Sequence, residues 1–417
     1  MAPSGFIAMA MRDPRFVGKP EETVPRRLTQ RISEQPSIQG LLPAEELALG
    51  CLLQGHDALP VLDAMGRDGP LFEQGLVTLK TIERESPELG SFDGMVGAPS
   101  PAATERSFSP TALERYATCP FQYFAEKVLR LEPVRRLQHD HLPPLTLGTL
   151  VHESLRVSYE RLVLLQWPDG SLTEATVQST VYAAVTDTFA SHAASQGTGH
   201  ALLWTLAREQ VTELVSAAVS SDQAEYLATG FRPVAFEAAA QGIVPLESEA
   251  SLVSLKIHGT LDRVDYRAEP PTLRIVDYKF KQGNEITAVD RNLALSAVRG
   301  FRLQPPLYAR MTLPSLPAPT DVQLLFLAPQ WKQPVSRSTF DAGLWTGHTG
   351  DMIRQTLSTL IQGIARREFF ILPDGYCDYC EFSGACRRHD GMAWWRSYRS
   401  PQARILRKLR KQKVPDE

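Results

Sequence analysis

The stretch Leu273-Arg274-Ile275-Val276-Asp277-Tyr278-Lys279 has the composition of a strand, where alternate side chains share a face, so Asp277 and Lys279 point the same way. A carboxylate beside an ammonium equips a hydrolase. The carboxylate holds a hard divalent cation, and the ammonium orients an attacking water or neutralises charge developing on a phosphate. A second carboxylate, Asp262, lies in Gly259-Thr260-Leu261-Asp262-Arg263-Val264-Asp265 on the preceding strand-like segment. A hairpin turn at Ala268-Glu269-Pro270-Pro271 would bring it beside Asp277. By itself an Asp-x-Lys pair also describes an ordinary surface ion pair.

Cysteines form the second constellation. Cys377, Cys380 and Cys386 have the spacing C-x2-C-x5-C in a loop rich in turn formers, and Cys119 stands far upstream before Pro120. Four thiolates suit either tetrahedral zinc or an iron–sulfur cluster. Structural zinc sites usually pair two short knuckles, whereas here one ligand is remote and three are local. Either group would close a very long loop and turn metal binding into folding energy. Cys51, inside Leu47-Ala48-Leu49-Gly50-Cys51-Leu52-Leu53, reads as a core residue.

Several motifs occur in a fixed order: Gly148-x3-His152, Gly259-x2-Asp262-Arg263-x-Asp265, Asp277-Tyr278-Lys279 and Gln304-x3-Tyr308. Together they resemble the PD-(D/E)XK nuclease superfamily, in particular its RecB- and AddB-type nuclease domains. The segment Ser107-Phe108-Ser109-Pro110 through Leu113-Glu114-Arg115-Tyr116 to Cys119-Pro120-Phe121 is similar to the opening of AddB-type domains, and the split cysteines are similar to their iron–sulfur version. The resemblance implies that His152, Asp262, Asp277 and the backbone carbonyl of Tyr278 bind Mg²⁺ or Mn²⁺, with Lys279 as the catalytic lysine. Gln304 and Tyr308, one helical turn apart, would lie beside the site and the bound strand. Cys119, Cys377, Cys380 and Cys386 would hold a [4Fe–4S] cluster. Glu237 matches an acidic position of the family and is given a supporting role, and Asp265 is expected to support Arg263 or a turn rather than bind metal.

The implied activity is metal-dependent hydrolysis of DNA, on single strands or unwound ends, in recombination-linked break repair, as a deoxyribonuclease of exonuclease type. A helicase or helicase–nuclease partner is implied with it. Two other functions use the same features: a non-catalytic DNA-end-binding scaffold stabilised by the cluster, and CRISPR spacer processing. Clustered carboxylates that repel phosphate disfavour the first, and the AddB-like opening disfavours the second.

The elements that must position these residues follow from local signals. Ser109 as N-cap, Pro110 at the first helical position and a Phe108–Leu113 staple start a helix leading to Cys119. Gly148 opens a helix to about Gln166. Helical patterns over Glu174–Ser191 and Ala201–Ala228 read as an insertion, at about residues 170–229, without catalytic groups. Strands are expected over Phe231–Ala240, Leu252–Arg267, Thr272–Phe280 and Val322–Leu327, with helices from Gln304 and over Met352–Arg367. This predicts an α/β fold: a restriction-endonuclease-like central mixed sheet flanked by helices, with the insertion and an iron–sulfur clasp. The expected organisation is an N-terminal helical region and linker (1–104, similar to a helicase remnant), the nuclease domain (105–390) and a basic C-terminal tail (391–417).

Composition agrees with that scheme. A chain of 417 residues, 43% hydrophobic and 22% charged, is that of a globular protein. No apolar run has the length of a membrane span and no signal peptide is evident, so a cytoplasmic, nucleoid-associated location is expected. Gly18-Lys19 is followed by Pro20, so no phosphate-binding loop of a nucleotide motor is present there. Net charge is only −3, yet from Arg387 to Lys413 there are ten Lys/Arg and one acidic residue, with Trp394, Trp395 and Tyr398 interleaved. Such a run suits phosphate contacts and base stacking, and equally a frayed basic helix.

Overall fold

The computed structural model describes residues 47, 51, 56–57, 59–64 and 69–98, and then 106–414 except 134–141, 169–171, 198–199, 249–250, 284 and 315. Two compact units divide between Arg84 and Glu85. In the first, helices α1 (Leu59–Ala64) and α2 (Gly69–Glu83) are described. Most of the helix expected over Ala44–Leu53 lies outside the described residues. Residues 85–98, grouped by sequence with the N-terminal region, belong to the larger unit: Val96 N–H donates to the Arg367 carbonyl at 3.1 Å, and Phe369 N–H to that of Gly94 at 2.7 Å.

The larger unit begins with β1 (Ser107–Phe108), α3 (Pro110–Thr118), α4 (Pro120–Tyr123), α5 (Pro144–Leu164), α6 (Glu174–Gln196) and α7 (Ala201–Thr229). Ser109 caps α3 as expected, its hydroxyl accepting from Ala112 N–H at 3.3 Å. Three strands follow, β2 (Arg232–Ser248), β3 (Ser251–Arg267) and β4 (Thr272–Phe280). Short helices α8 (Ala288–Arg291), α9 (Leu293–Val298) and α10 (Gln304–Tyr308) then lead to β5 (Met311–Thr312), β6 (Pro319–Leu327) and β7 (Val335–Asp341). Helix α11 (His348–Ala365) and a final pair, α12 (Gly391–Arg399) and α13 (Pro401–Leu409), complete the unit. Among the described residues no helix is long and apolar enough to cross a membrane.

The strands form one mixed sheet of order β5-β2-β3-β4-β6-β7, with β1 alongside β3. Strands β2, β3 and β4 are antiparallel neighbours, whereas β4 and β6 are parallel, so α8–α10 make the crossover between them. Strand β7 was not foreseen: Val335-Ser336-Arg337-Ser338-Thr339 is too polar to announce a strand, but pairing along β6 supplies its hydrogen bonds.

Alternation along β4 sends residues into two separate cores. Ile275 packs with α3, α9, α10 and α11 on one face, while Val276 and Tyr278 pack with α5, α6 and α7 on the other. The long helices of the insertion therefore join α5 to build one layer of the sandwich. The basic C-terminal run is not a tail. Arg396 of α12 is fully buried and 2.9 Å from Asp93, and Arg410 donates to the α3 carbonyl of Ala117 at 2.8 Å.

Helix α7 also carries charge into its core. Arg263 of β3 lies 2.6 Å from Asp222 and 2.9 Å from Asp265, and Arg337 of β7 lies 2.6 Å from Asp222. Tyr159 donates to Asp222, Tyr226 donates to Asp265 at 2.9 Å, and the guanidinium of Arg263 sits 4.8 Å from the Tyr159 ring centre. Asp265 thus supports Arg263, as the sequence suggests. Asp222→Ala would take one of two carboxylate partners from each of two guanidinium groups, one of them wholly buried. Its unfolding free energy in urea should fall by about 3–5 kcal/mol, and a midpoint within experimental error of the parent would refute a structural role for the network.

Candidate active site and cysteine cluster

The ladder between β3 and β4 ends at the Arg263–Val276 pair, although β4 continues to Phe280 alongside β6. Asp262 is the first residue of β3 beyond that pair. Its carboxylate takes the place of a strand partner, accepting the Tyr278 N–H at 2.8 Å. The two motif strands thus separate where Asp262 faces Asp277. Gly259, three residues before, has a local reason to be glycine: a Cβ there would stand 3.3 Å from the Tyr308 ring and 3.3 Å from Met311 Cε. On the other side, β2 pairs Phe236 with Arg263 and Ala238 with Leu261, which puts Glu237 opposite Asp262. Glu237 has φ 46°, a left-handed conformation that a side chain adopts at a cost. Three neighbouring strands therefore each bring a carboxylate to one place.

Groups from both helical layers converge there. From α5, His152 Nδ1 lies 3.3 Å from Asp262 Oδ2, and its ring stands edge-on to Tyr278 with centroids 5.6 Å apart. From the opposite layer, Gln304 Nε2 donates to Asp277 Oδ1 at 3.2 Å and to the Tyr308 hydroxyl at 3.1 Å. Lys279 Nζ holds the other oxygen of Asp277 at 2.5 Å. All the site residues expected from sequence, His152, Asp262, Asp277, Tyr278, Lys279, Gln304 and Tyr308, gather at this gap in the sheet.

Burial sets the charge states. It pushes Asp262 well above the usual carboxylate range, and the negative charge of Asp277 adds to the effect. Glu237 is raised too, again by burial, with Arg156 opposing and Glu153 and Asp277 adding to the rise. Burial lowers His152 below its ordinary value despite the pull of Asp277, which leaves a neutral imidazole with a lone pair to offer a metal. Lys279 is also desolvated, but Asp277 outweighs that and holds it above the normal lysine value. It is therefore an ammonium, a donor of charge and hydrogen bonds rather than a base.

Sequence reasoning overlooked Glu114. This half-buried carboxylate of α3 accepts from Leu303 N–H at 2.6 Å and Gln304 N–H at 2.9 Å, and so fixes the start of α10 that aims Gln304 at Asp277. The available signal was an acidic residue inside an otherwise apolar helix face, one turn before Cys119.

The donor set suits a divalent cation. A buried carboxylate, a half-buried one and an uncharged imidazole are hard oxygen and nitrogen ligands, and a cation would take the place of the proton that Asp262 favours without it. Among the described residues, however, no three His, Cys, Asp or Glu side chains are drawn into a ready-made cage.

The four motif cysteines are free thiols that line one small cavity together with Phe121, Leu372 and Tyr376. Donors already point at the sulfurs: Gln122 Nε2 lies 3.3 Å from Cys380 Sγ, and Asp374 N–H lies 3.4 Å from Cys377 Sγ. Backbone amides of Gln122, Leu372 and Phe121 serve Cys119 in the same way. Burial and the nearby sulfurs of the other three push Cys386 up to about 11. A bound metal would reverse that penalty, because it takes the thiolate form. The arrangement fits a thiolate-held group.

Comparison with known proteins agrees with this geometry. The family profile of the PD-(D/E)XK nuclease superfamily matches residues 107–387, from β1 to the end of the cysteine cluster. The B-type component of the ATP-dependent helicase/deoxyribonuclease of Moorella thermoacetica is 28% identical over 218 residues, which cover 50% of this chain and 18% of that protein. The chain spans less than a fifth of that relative's length. With a mixed sheet whose parted strands carry Asp262, Asp277 and Lys279, and a profile match over well more than half of its residues, the chain belongs to the PD-(D/E)XK nuclease superfamily.

Proposed function

We propose that this protein is a Mg²⁺- or Mn²⁺-dependent deoxyribonuclease that hydrolyses phosphodiester bonds in single strands or unwound DNA ends during recombinational break repair. It acts beside a helicase or helicase–nuclease partner. The observation that carries this proposal is the pairing of half-buried Asp262 and buried Asp277 with charged Lys279 where β3 leaves β4. The name of the Moorella relative, a component of a helicase/deoxyribonuclease, supports the choice of DNA and of a helicase partner. A scaffold without catalysis has no use for carboxylates that repel its ligand.

His152, Asp262, Asp277 and the Tyr278 carbonyl would hold the cation. When bound, it supplies Lewis-acid polarisation of a phosphoryl oxygen and makes water more acidic. The chain's own groups do the rest. Gln304 donates to one oxygen of Asp277 and the Lys279 ammonium pairs with the other, which fixes the carboxylate plane. Lys279, kept cationic by Asp277, is the donor available to a phosphate oxygen as charge builds in the transition state. Gln304 also donates to the Tyr308 hydroxyl, and this buried polar pair lies beside the site. We further propose that Cys119, Cys377, Cys380 and Cys386 hold a [4Fe–4S] cluster that joins the C-terminal loop to α3.

Asp277→Ala and Lys279→Ala should each lower Mg²⁺-dependent cleavage of end-labelled single-stranded DNA by at least about 10³-fold, with DNA binding retained. Parent-like cleavage in both variants would remove the assignment.

The raised pKa of Asp262 gives a pH test with a definite sign. The metal-free fold is favoured by the Asp262 proton; that contribution is complete below the ordinary carboxylate value and disappears as pH rises through the raised one. Cation binding needs the carboxylate, so affinity should climb and protons should be released across the same window. Calorimetry in two buffers of different ionisation enthalpy measures this, and Asp262→Asn should abolish the proton release.

For the cysteines, anaerobically purified Cys380→Ala should lose iron, sulfide and brown colour and melt at lower temperature. Full iron content in that variant would contradict the cluster.

A further inference from the structure

Beyond the scissile site, one cluster of charges serves no purpose described so far. Asp290, 1% exposed at its side chain, receives Lys281 Nζ at 2.9 Å on one oxygen and Arg302 at 2.8 Å on the other. Thr287 also donates to it, at 2.9 Å. One carboxylate thus serves two cations, and the group carries a net positive charge. Its negative member is hidden, whereas the side chains of Lys281 and Arg302 remain 28% and 27% exposed. One of the two cations is enough to neutralise Asp290. The second gives the surface an immobilised positive charge whose orientation is set in advance.

The location of the cluster suggests what it meets. Lys281 follows Lys279 by two residues and extends the same row: its N–H donates to the Leu327 carbonyl at 2.8 Å, so pairing with β6 continues past the end of β4. Two residues of strand span about 6.6 Å, comparable with one nucleotide step of an extended single strand. The Lys281 ammonium lies over the Phe326 ring, 5.6 Å from its centre, on the face that also carries Asp277. Arg302 precedes Gln304 by two residues, and both Arg302 and Lys279 bear electrostatically on Glu114, so the second cation flanks the catalytic group as well. We propose that Lys281 and Arg302, locked by Asp290, bind the phosphodiester adjacent to the one cleaved, and so align a single strand across the gap between β3 and β4. The proposal rests on the nuclease function put forward above. It adds a site for a second phosphate, recognised by charge without reference to base.

Binding is measured on the full chain by fluorescence anisotropy with labelled oligo-dT and oligo-dC in EDTA, over a range of salt concentrations. Lys281→Gln/Arg302→Gln should bind both strands about tenfold more weakly at low salt. Its plot of log affinity against log salt should be shallower by at least about 0.7, the single-strand value for one lost phosphate contact. An unchanged slope and affinity in a variant that melts like the parent would overturn the subsite. Should the double variant not fold, Lys281→Gln alone, which leaves the Arg302–Asp290 pair intact, tests the same slope. Asp277→Ala separates the two proposals. Retained cleavage in Asp277→Ala sinks the nuclease reading, while a normal salt slope in the Lys281/Arg302 variant sinks only the second phosphate site.

Discussion

Arg263 is the fixed point of this molecule. Its guanidinium, 1% exposed, is held between Asp222 of α7 and Asp265 of its own strand and lies against the Tyr159 ring. A charge so deeply buried tolerates very little movement, because any displacement leaves an ion without its partner in a poorly polarisable interior. Two neighbouring residues therefore divide the work. Arg263 anchors β3 into the core beneath the insertion helices, and Asp262, next in the chain, is delivered to the point where β3 and β4 part. The helices of the insertion carry no catalytic side chain, yet Asp222 and Tyr226 of α7 supply this anchor.

The second organising device is helix α3. It starts at the Ser109 cap, presents Glu114 to the amides of Leu303 and Gln304, and ends at Cys119 in the cysteine cavity. Arg410, returning from the far end of the chain, donates to the terminal carbonyls of the same helix and pairs with Asp374 at 2.8 Å. A rigid rod thus connects the cysteine cluster to the residue that aims Gln304 at Asp277. The C-terminal arginines that look like a free basic tail are partly consumed in making this connection.

Much of the fold was legible because its signals are local. The cap at Ser109, the alternation of β4 and the paired helices of the insertion depend on neighbours a few residues apart, and the observed elements lie close to the expected ones. Strand β7 was not legible, since its residues are polar and only the edge of β6 makes them a strand. Nor was the packing of α12 and α13: a run of Arg and Lys reads as solvated until Asp93 and the carbonyls of α3 are known to be near. Glu114 escaped for a similar reason. Its partners are backbone amides 189 and 190 residues away in sequence, and only the apolar residues around it on α3 hint at its place.

By itself the sequence determined which chemical groups exist and which lie on a common strand face, because spacing along a strand is a covalent fact: Asp277 and Lys279 had to be neighbours. It also determined membership in the nuclease family, through motifs in order. Tertiary structure alone decided that β3 and β4 separate at Asp262, that His152 and Gln304 approach that gap from opposite layers, and that burial raises Asp262 while Asp277 keeps Lys279 charged. Desolvation and long-range contact depend on what surrounds a side chain, and those surroundings arise only when segments distant along the chain are packed together.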